Sequence, residues 1–186
     1  KDGADIHTMT AAGINKIKPA QVDKQMSREA KAVNFGILYV QGAHGLSRGA
    51  DIPYHQAREF IEQYFVLYRD VKKYMDKAII DAREKGYAET LLGRRRYLPE
   101  IDSSVVMVRK GAERMAINTP LQGTAADLIK KAMIEVLAQV PRDKAHMLLQ
   151  VHDELIFAVK PQNVKKMAKE IKEIMEQVLK LKVPIV

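Results

Sequence analysis

Two short apolar runs separated by two polar residues constrain the fold of this chain most strongly. Ala145–Val151 and Glu154–Val159 are rich in β-branched and other apolar side chains, and only His152 and Asp153 stand between them. Such a pair predicts a β-hairpin with a two-residue turn. Residues 162–180 then place apolar side chains on one helical stripe, which is typical of a helix that covers a sheet. This part of the chain is therefore expected to form a small α+β layer.

The sequence before the hairpin is predicted to be almost entirely helical. Periodicity indicates a short helix over residues 5–14 with Asp5 as its N-cap, and a long helix over residues 19–39. Two further helices are expected in succession from Pro53 to a C-cap at Gly86. The predicted fold class is α+β, with a helical part followed by a helix, a hairpin and a helix.

Glycine and proline mark the expected breaks between these elements. Residues 87–99 have turn and β character, and residues 183–186 resemble a strand. Pro120 is expected to interrupt a helix that reaches Asn118 and to open the next one, with Thr119 as cap. Three glycines predict a loose connection after the long helix: Gly42, Gly45 and Gly49.

The composition narrows the class of partner. The chain of 186 residues has a formal net charge of +8, which favours a polyanion, either nucleic acid or a nucleotide. It has no cysteine, which excludes disulfides, thiol catalysis and cysteine-ligated zinc and makes the cytoplasm the expected location. No apolar run is long enough to span a membrane, so no membrane partner is expected. Because the chain does not begin with Met, we expect it to be a piece of a longer protein.

One predicted helix has two distinct faces. At helical spacing, Arg28, Lys31, Phe35 and Tyr39 share a narrow arc, and apolar residues cluster on the opposite side. Two cations followed by two aromatic rings could hold a triphosphate at the basic end and a base or sugar against the rings. A solvated basic surface beside a second, weaker core contact fits the same pattern, so both interpretations stay open.

The predicted hairpin turn carries a second candidate residue. Asp153 would be held rigidly between two strands, where its carboxylate could share a divalent cation with phosphate oxygens. A plain turn in which Asp153 accepts hydrogen bonds from neighbouring backbone amides fits the pattern at least as well. A single carboxylate does not make a two-metal site, and Glu154 is expected to point to the other face of the hairpin.

A polar ridge near Pro120 is the third candidate. Arg114, Asn118 and Gln122 step by four residues, and their amide and guanidinium groups suit the base edges of a DNA minor groove. A surface ridge with ordinary helix packing is the alternative. The densest basic run is a candidate for phosphate contacts and comprises Arg94, Arg95 and Arg96.

Taken together and in this order, these segments resemble the fingers and part of the palm of family A DNA polymerases, the bacterial DNA polymerase I type. The resemblance covers nearly the whole chain. Its motifs are Asp-Ile-His-Thr at 5–8, Arg-Glu-Ala-Lys-Ala-Val-Asn-Phe-Gly at 28–36, Gly-Arg-Arg-Arg-Tyr at 93–97, Leu-Gln-Gly-Thr-Ala-Ala-Asp at 121–127 and Val-His-Asp-Glu at 151–154. It implies a DNA-directed DNA polymerase of replication and repair, with a fingers subdomain over residues 1–112 and a partial palm over residues 113–186.

The resemblance implies that the helix with two faces binds the incoming deoxynucleoside triphosphate. Lys31 would hold the α and β phosphates and serve as a catalytic residue. Phe35 would stack on the nucleotide, and Tyr39 would stack near the templating base. Arg28 and His7 complete the implied nucleotide-binding set.

The resemblance also implies metal ions and DNA as partners. Asp153 would be one of two metal-binding carboxylates, and two Mg²⁺ ions would activate the primer 3′-hydroxyl and steady the pyrophosphate. The other carboxylate would lie upstream of Asp5, in a stretch that we expect this chain to begin too late to contain. Thumb and further palm segments are also expected to be missing, so the chain alone is expected to be inactive. Contacts to primer-template DNA are implied for Arg94, Arg95, Arg96, Arg114, Asn118, Gln122 and His152.

Two residues depart from the family pattern. Ser27 stands where the family commonly has an arginine that reaches the terminal phosphate, and Val40 stands where a glycine normally follows the tyrosine. A β-branched residue is expected to stiffen that end of the helix. Two other functions remain as alternatives: a fragment of a single-subunit RNA polymerase, and a nucleic-acid-binding or nucleotide-binding module without catalysis.

Overall fold

The computed structural model describes residues 5–185, with the backbone alone at Leu38, and divides them into two compact units. The first unit runs to Glu89 and also contains Arg95–Pro120. The second consists of Thr90–Arg94 and the chain from Leu121 onward. The described residues form helices and two small antiparallel sheets, which confirms the α+β fold class.

The first unit is mainly helical. In chain order its elements are α1 (Ile6–Asn15), a 3₁₀ turn (Pro19–Gln21), α2 (Lys24–Leu38), α3 (Ala43–Ala50), α4 (Tyr54–Leu67), α5 (Arg69–Lys85), β1 (Tyr87–Glu89), β2 (Arg95–Tyr97) and α6 (Val106–Asn118). Strands β1 and β2 pair antiparallel. One buried cluster joins α2 to α6 through Val33, Ile37, Leu46, Ile52, Ala57, Phe60, Tyr64, Met75 and Ile117. A second cluster packs α5, β1 and α6 together through Ala82, Ala88, Leu98, Ile101, Ala112 and Ala116.

The second unit contains the predicted hairpin. Along the chain, α6 leads into a π-helical turn (Thr119–Gly123), followed by α7 (Thr124–Gln139), β3 (Ala145–Val151), β4 (Glu154–Val159), a 3₁₀ turn (Pro161–Asn163) and α8 (Val164–Gln177). Strands β3 and β4 have the bounds that the sequence predicts, and Val151 lies opposite Glu154. The core of this unit is formed by Val136, Val140, Ala145, Met167 and Ile171.

The predicted helix over residues 19–39 is wrong at its beginning. Val22 has an extended backbone, and α2 starts only after Asp23, whose carboxylate accepts a hydrogen bond from the Met26 N–H at 2.8 Å. Because the Asp23 cap starts a helix at this point, residues 19–22 do not belong to α2. Apolar periodicity alone does not detect such a cap. The predicted loose connection after α2 is also wrong, because Gly45 and Gly49 both lie inside α3.

The predicted break at Pro120 is replaced by a π-helical turn. Proline lacks an N–H donor, and a π-helical turn takes up that irregularity without ending the helical path between α6 and α7. Thr119 does not cap the next helix, since its backbone is helical and its buried hydroxyl has no hydrogen-bond partner within residues 5–185. Residues 183–185 are not a strand, and Val186 lies outside the described residues.

Helix α2 ends in a Schellman motif whose left-handed residue is a valine. The Gln41 N–H donates to the Gly36 carbonyl at 2.8 Å, and the Val40 N–H donates to the Ile37 carbonyl at 2.9 Å. Val40 has a φ of 54°. Glycine usually occupies this place, because a side chain raises the energy of the left-handed conformation. The departure from the family pattern at Val40 therefore coincides with a strained backbone position.

Replacing Val40 with glycine is expected to change the free energy of unfolding by less than about 1 kcal/mol. Relief of left-handed strain contributes about 1–2 kcal/mol, while lost packing of a partly buried side chain and added chain entropy each remove roughly 0.5–1 kcal/mol. Val40 packs against the core cluster of the first unit from its edge. Urea denaturation checks this, with Val33→Ala as control, since truncation of this fully buried valine should cost about 2 kcal/mol. Equal losses in the two variants would contradict the strain argument.

Candidate functional site

His7, Lys31 and Phe35 come together on the surface of the first unit. His7 lies in the first turn of α1, and its ring centroid is 5.7 Å from that of Phe35 on α2. The Nζ atom of Lys31, one turn earlier on α2, is 6.0 Å from the Phe35 centroid. Lys31 and Phe35 are both exposed. A cation and two rings are thus available to one ligand at this surface.

Arg28 and Tyr39 extend this surface in both directions along α2. Arg28 is exposed one turn before Lys31, and Tyr39 is exposed at the C-cap, one turn after Phe35. We call Arg28, Lys31, Phe35 and Tyr39 the cation–aromatic face. The opposite side of α2 is buried at Ala30, Val33 and Ile37. Both faces that the sequence predicts are present, while the roles of the four residues stay predictions.

The position of His7 depends on polar side chains that sequence reasoning missed. Asn34 on α2 donates from Nδ2 to His7 Nδ1 at 2.9 Å, and Thr10 on α1 donates from Oγ1 to Asn34 Oδ1 at 3.2 Å. Asn34 and Thr10 are both buried. The available signal was a polar Asn within the apolar half of α2, because a buried amide requires partners.

The N-cap of α1 places a charge beside this site. The Asp5 carboxylate accepts hydrogen bonds from the Thr8 hydroxyl at 2.6 Å and from the His7 N–H at 3.1 Å, which confirms the predicted cap. The Thr8 hydroxyl, followed by the backbone N–H groups of His7 and Thr8, lowers the pKa of Asp5. Asp5 therefore keeps its negative charge to lower pH than a free aspartate, and the cap of α1 is retained over the same range.

The hairpin turn of the second unit presents Asp153 to solvent. His152 has a φ of 53°, its carbonyl accepts a hydrogen bond from Gln150 Nε2 at 2.7 Å, and both turn residues are exposed. Within residues 5–185, the Asp153 carboxylate accepts no hydrogen bond from the backbone amides of the turn. The plain-turn interpretation requires these hydrogen bonds, so the structure does not support it. Asp153 lines a groove between α7, β4 and α8 whose other residues are mostly apolar.

The donor set of the described residues fits one metal ligand and no complete metal centre. Carboxylate oxygens are the ligands that Mg²⁺ prefers, and Asp153 offers them without a competing protein partner. Across residues 5–185, however, no three acidic or histidine side chains lie close enough together to hold a metal ion. The described residues therefore account for one ligand of a metal centre and not for a complete centre.

The three consecutive arginines differ in their surroundings. In the second unit, Arg94 forms an ion pair with Asp127, whose side chain is only 5% exposed. In the first unit, the Arg95 guanidinium lies 4.6 Å from the Tyr87 ring centroid. Arg96 is exposed, and its side chain has no ion pair or hydrogen bond among the described residues. Arg96 is therefore the most accessible of the three to a phosphate.

The predicted polar ridge is regular only in its first half. Arg114 is exposed and Asn118 is half-buried, and both lie on α6. Gln122 is exposed, but it lies within the π-helical turn, where residues four apart no longer stack as in an α-helix. The contact of these three residues with a DNA minor groove stays a prediction.

Comparison with known proteins identifies the family. The model for DNA polymerase family A matches residues 1–186. The chain belongs to DNA polymerase family A. This family A chain is 46% identical over 185 residues to the thermostable DNA polymerase I of Thermus filiformis, covering 100% of the chain and 22% of the relative. It is 48% identical over 183 residues to DNA polymerase I of Bacillus caldotenax, covering 97% of the chain and 21% of the relative.

A solved structure agrees with the family assignment. The POL domain of Pol1 from M. smegmatis, in complex with DNA primer-template and dNTP, superposes with a TM-score of 0.90 at 39% identity. The match covers 99% of this family A chain and 33% of that structure. The chain thus spans about a fifth of the length of its curated relatives. Among the described helices, none is long and apolar enough to cross a membrane.

Proposed function

We propose that this chain is part of a template-directed DNA polymerase that adds deoxynucleoside triphosphates to a primer 3′ end. One observation carries the proposal: within a family A chain, α1 and α2 bring His7, Lys31 and Phe35 together on an exposed surface. A cation and a hydrogen-bond donor suit the phosphates of a nucleotide, and an aromatic ring suits its base or sugar. In this proposal residues 1–112 form the fingers and residues 113–186 form part of the palm, and the enzyme acts in the cytoplasm.

The cation–aromatic face would bind the incoming nucleotide. Lys31 would contact the α and β phosphates and stabilise the charge that develops on phosphoryl transfer. Arg28 and His7 would contact the rest of the triphosphate, Phe35 would stack on the nucleotide, and Tyr39 would lie near the templating base. The spacing along α2, from cations at its beginning to rings at its end, matches the order of phosphates and base in a nucleotide.

Asp153 would contribute one carboxylate to a divalent metal centre. Mg²⁺ bound there, with a second ion, would activate the primer 3′-hydroxyl and stabilise the leaving pyrophosphate. The open carboxylate in the hairpin turn supports this role. Because no group of three potential metal ligands forms among residues 5–185, and the chain spans about a fifth of its relatives, we propose that the chain is inactive alone.

The exposed basic and amide side chains would contact primer-template DNA. Arg96 and Arg114 are open to phosphates, and Gln122 and His152 are exposed on the second unit. Arg94 and Arg95 would add backbone contacts from their existing ion-pair and stacking positions, and Asn118 would add an amide. The net charge of +8 supports a salt-dependent affinity for DNA.

Primer extension tests the proposed function. The purified chain is mixed with primed template, Mg²⁺ and dNTPs, alone and with a polypeptide that supplies the remaining palm and thumb. We expect extension only with the complement, and a loss of about 10²- to 10³-fold in Lys31→Ala. Lys73→Ala is the matched control, because it removes another exposed lysine, on α5, that makes only a surface ion pair.

The alternatives give different results when the assay is repeated with ribonucleotides and DNA binding is measured at several salt concentrations. Extension by the chain alone would overturn the proposed inactivity. Extension with ribonucleotides in preference to dNTPs would indicate the RNA polymerase alternative. No extension with the complement, while salt-sensitive DNA binding persists, would leave a binding module without catalysis.

A further inference from the structure

A buried chain of polar side chains ends at His7. The Tyr68 hydroxyl lies 2.9 Å from Thr10 Oγ1, Thr10 Oγ1 lies 3.2 Å from Asn34 Oδ1, and Asn34 Nδ2 lies 2.9 Å from His7 Nδ1. Thr10 is 0% exposed and Asn34 is 6% exposed. Polar groups at this depth are costly unless each has a partner, so the four side chains constrain one another. We call Tyr68, Thr10, Asn34 and His7 the polar chain.

The donors and acceptors of the polar chain run in one direction. The amide nitrogen of Asn34 can only donate, so the His7 Nδ1 that it meets must accept. The single proton of the Thr10 hydroxyl is shared between the Ile6 carbonyl at 2.8 Å and the Asn34 amide oxygen at 3.2 Å. In the structure the Asn34 amide has its oxygen toward Thr10 and its nitrogen toward His7. The Tyr68 hydroxyl can in turn donate to Thr10. In a neutral imidazole with Nδ1 as acceptor, the proton is on Nε2.

We propose that Asn34 is a positioning residue that holds His7 as the Nε2–H tautomer, so that His7 presents a donor to a phosphate oxygen of the nucleotide. This inference rests on the proposed function. The opposite tautomer would present a lone pair to the anion, which is repulsive. Among the described residues Nε2 has no protein partner, whereas Nδ1 is occupied by Asn34. The Phe35 ring is tilted by 37° against the His7 imidazole and restricts its orientation from a second side.

The residue type at position 34 is specific for this task. An aspartate of nearly the same shape would accept from Nδ1–H instead of donating to Nδ1, which reverses the tautomer. A hydrophobic residue would leave His7 Nδ1 without its partner, whereas the Thr10 hydroxyl would keep the Ile6 carbonyl and the Tyr68 hydroxyl. Asn34→Asp therefore changes the hydrogen-bond direction with little change in volume, and it is the sharpest variant.

The first test measures the tautomer of His7 without any nucleotide. In the ¹⁵N-labelled chain, long-range ¹H–¹⁵N correlation spectra distinguish a protonated Nε2 from a protonated Nδ1. We expect Nε2–H in the unaltered chain and in Thr10→Ser, which keeps the hydroxyl. We expect Nδ1 to be protonated in Asn34→Asp and a mixture of tautomers in Thr10→Val. The exposed His55 is the internal control and should not change. Protonation of Nδ1 in the unaltered neutral His7 would overturn the proposal.

The second test measures binding of dATP to the same chains. We expect Asn34→Asp and His7→Ala each to weaken dATP binding about tenfold. In the His7→Ala background, Asn34→Asp should have no further effect, because Asn34 acts only through His7. Additive losses would overturn the positioning role. If the unaltered chain shows the Nε2–H tautomer but does not bind dATP, the proposed nucleotide site fails while the hydrogen-bond assignment stands.

Discussion

Replacing Arg94 with alanine is expected to lower the free energy of unfolding of the second unit by about 2–3 kcal/mol. The Asp127 carboxylate is almost fully buried and has two partners, the Arg94 guanidinium and the Thr90 hydroxyl, which donates at 2.6 Å. Removing the arginine leaves a buried negative charge with a single hydrogen bond. The half-exposed position of Arg94 keeps the loss below that of a fully buried pair.

Two further variants separate the charge effect from simple loss of contacts. In Arg94→Ala/Asp127→Asn the buried charge is gone, so we expect at least about 1 kcal/mol of the loss to be recovered. Arg95→Ala is the matched control, because its guanidinium stacks on Tyr87 at a half-exposed position and should contribute less than about 1 kcal/mol. Urea denaturation of the four chains provides the measurement. A double variant less stable than Arg94→Ala would contradict the buried-charge argument.

This ion pair also affects how DNA-binding data must be interpreted. Arg94 is a proposed DNA contact, yet its guanidinium already joins the loop after β1 to α7 within the second unit. A weaker affinity of Arg94→Ala for DNA would combine a lost contact with a destabilised unit. Arg96 has no such partner among the described residues, so Arg96→Ala measures the phosphate contact by itself.

Local signals in the sequence predicted the elements that depend on neighbouring residues. The hairpin, the Asp5 cap and the Gly86 C-cap each depend on residues within a few positions, and all three are present. The break before α2 is missed, because apolar periodicity continues across it. The π-helical turn at Pro120 is missed for another reason, because a proline at this place predicts an ordinary helix break. Helix α3 was missed because burial of Leu46 outweighs the low helix propensity of its glycines.

In the candidate site, too, the sequence predicts features within one element and does not predict contacts between distant residues. The cation–aromatic face follows from spacing within one helix, and it was predicted as such. The Asn34 contact to His7 joins residues 27 positions apart, and the Thr90 contact to Asp127 joins residues 37 positions apart. Such contacts are determined by how α1 meets α2 and how the β1–β2 loop meets α7, which no periodicity encodes. For the same reason, the sequence suggests Arg94 as a candidate phosphate contact and does not indicate its buried partner Asp127.

Replacing Asp153 with asparagine is expected to reduce complemented primer extension by about 10³-fold or more. A neutral amide keeps the size of the side chain but removes the negative charge that the proposed metal centre requires. Stability should change by less than about 0.5 kcal/mol, because Asp153 is exposed and its carboxylate has no protein hydrogen bond within residues 5–185. DNA affinity should be retained, since the removed charge is negative.

The matched control for Asp153 is Asp143→Asn, an exposed aspartate in the turn before β3 of the same unit. It should leave extension unchanged. Full extension by Asp153→Asn would show that the hairpin carboxylate is not a metal ligand, whereas equal losses in both variants would indicate a general effect of charge. A loss confined to Asp153, with stability and DNA affinity intact, assigns the defect to catalysis, because folding and DNA binding are then both excluded as its cause.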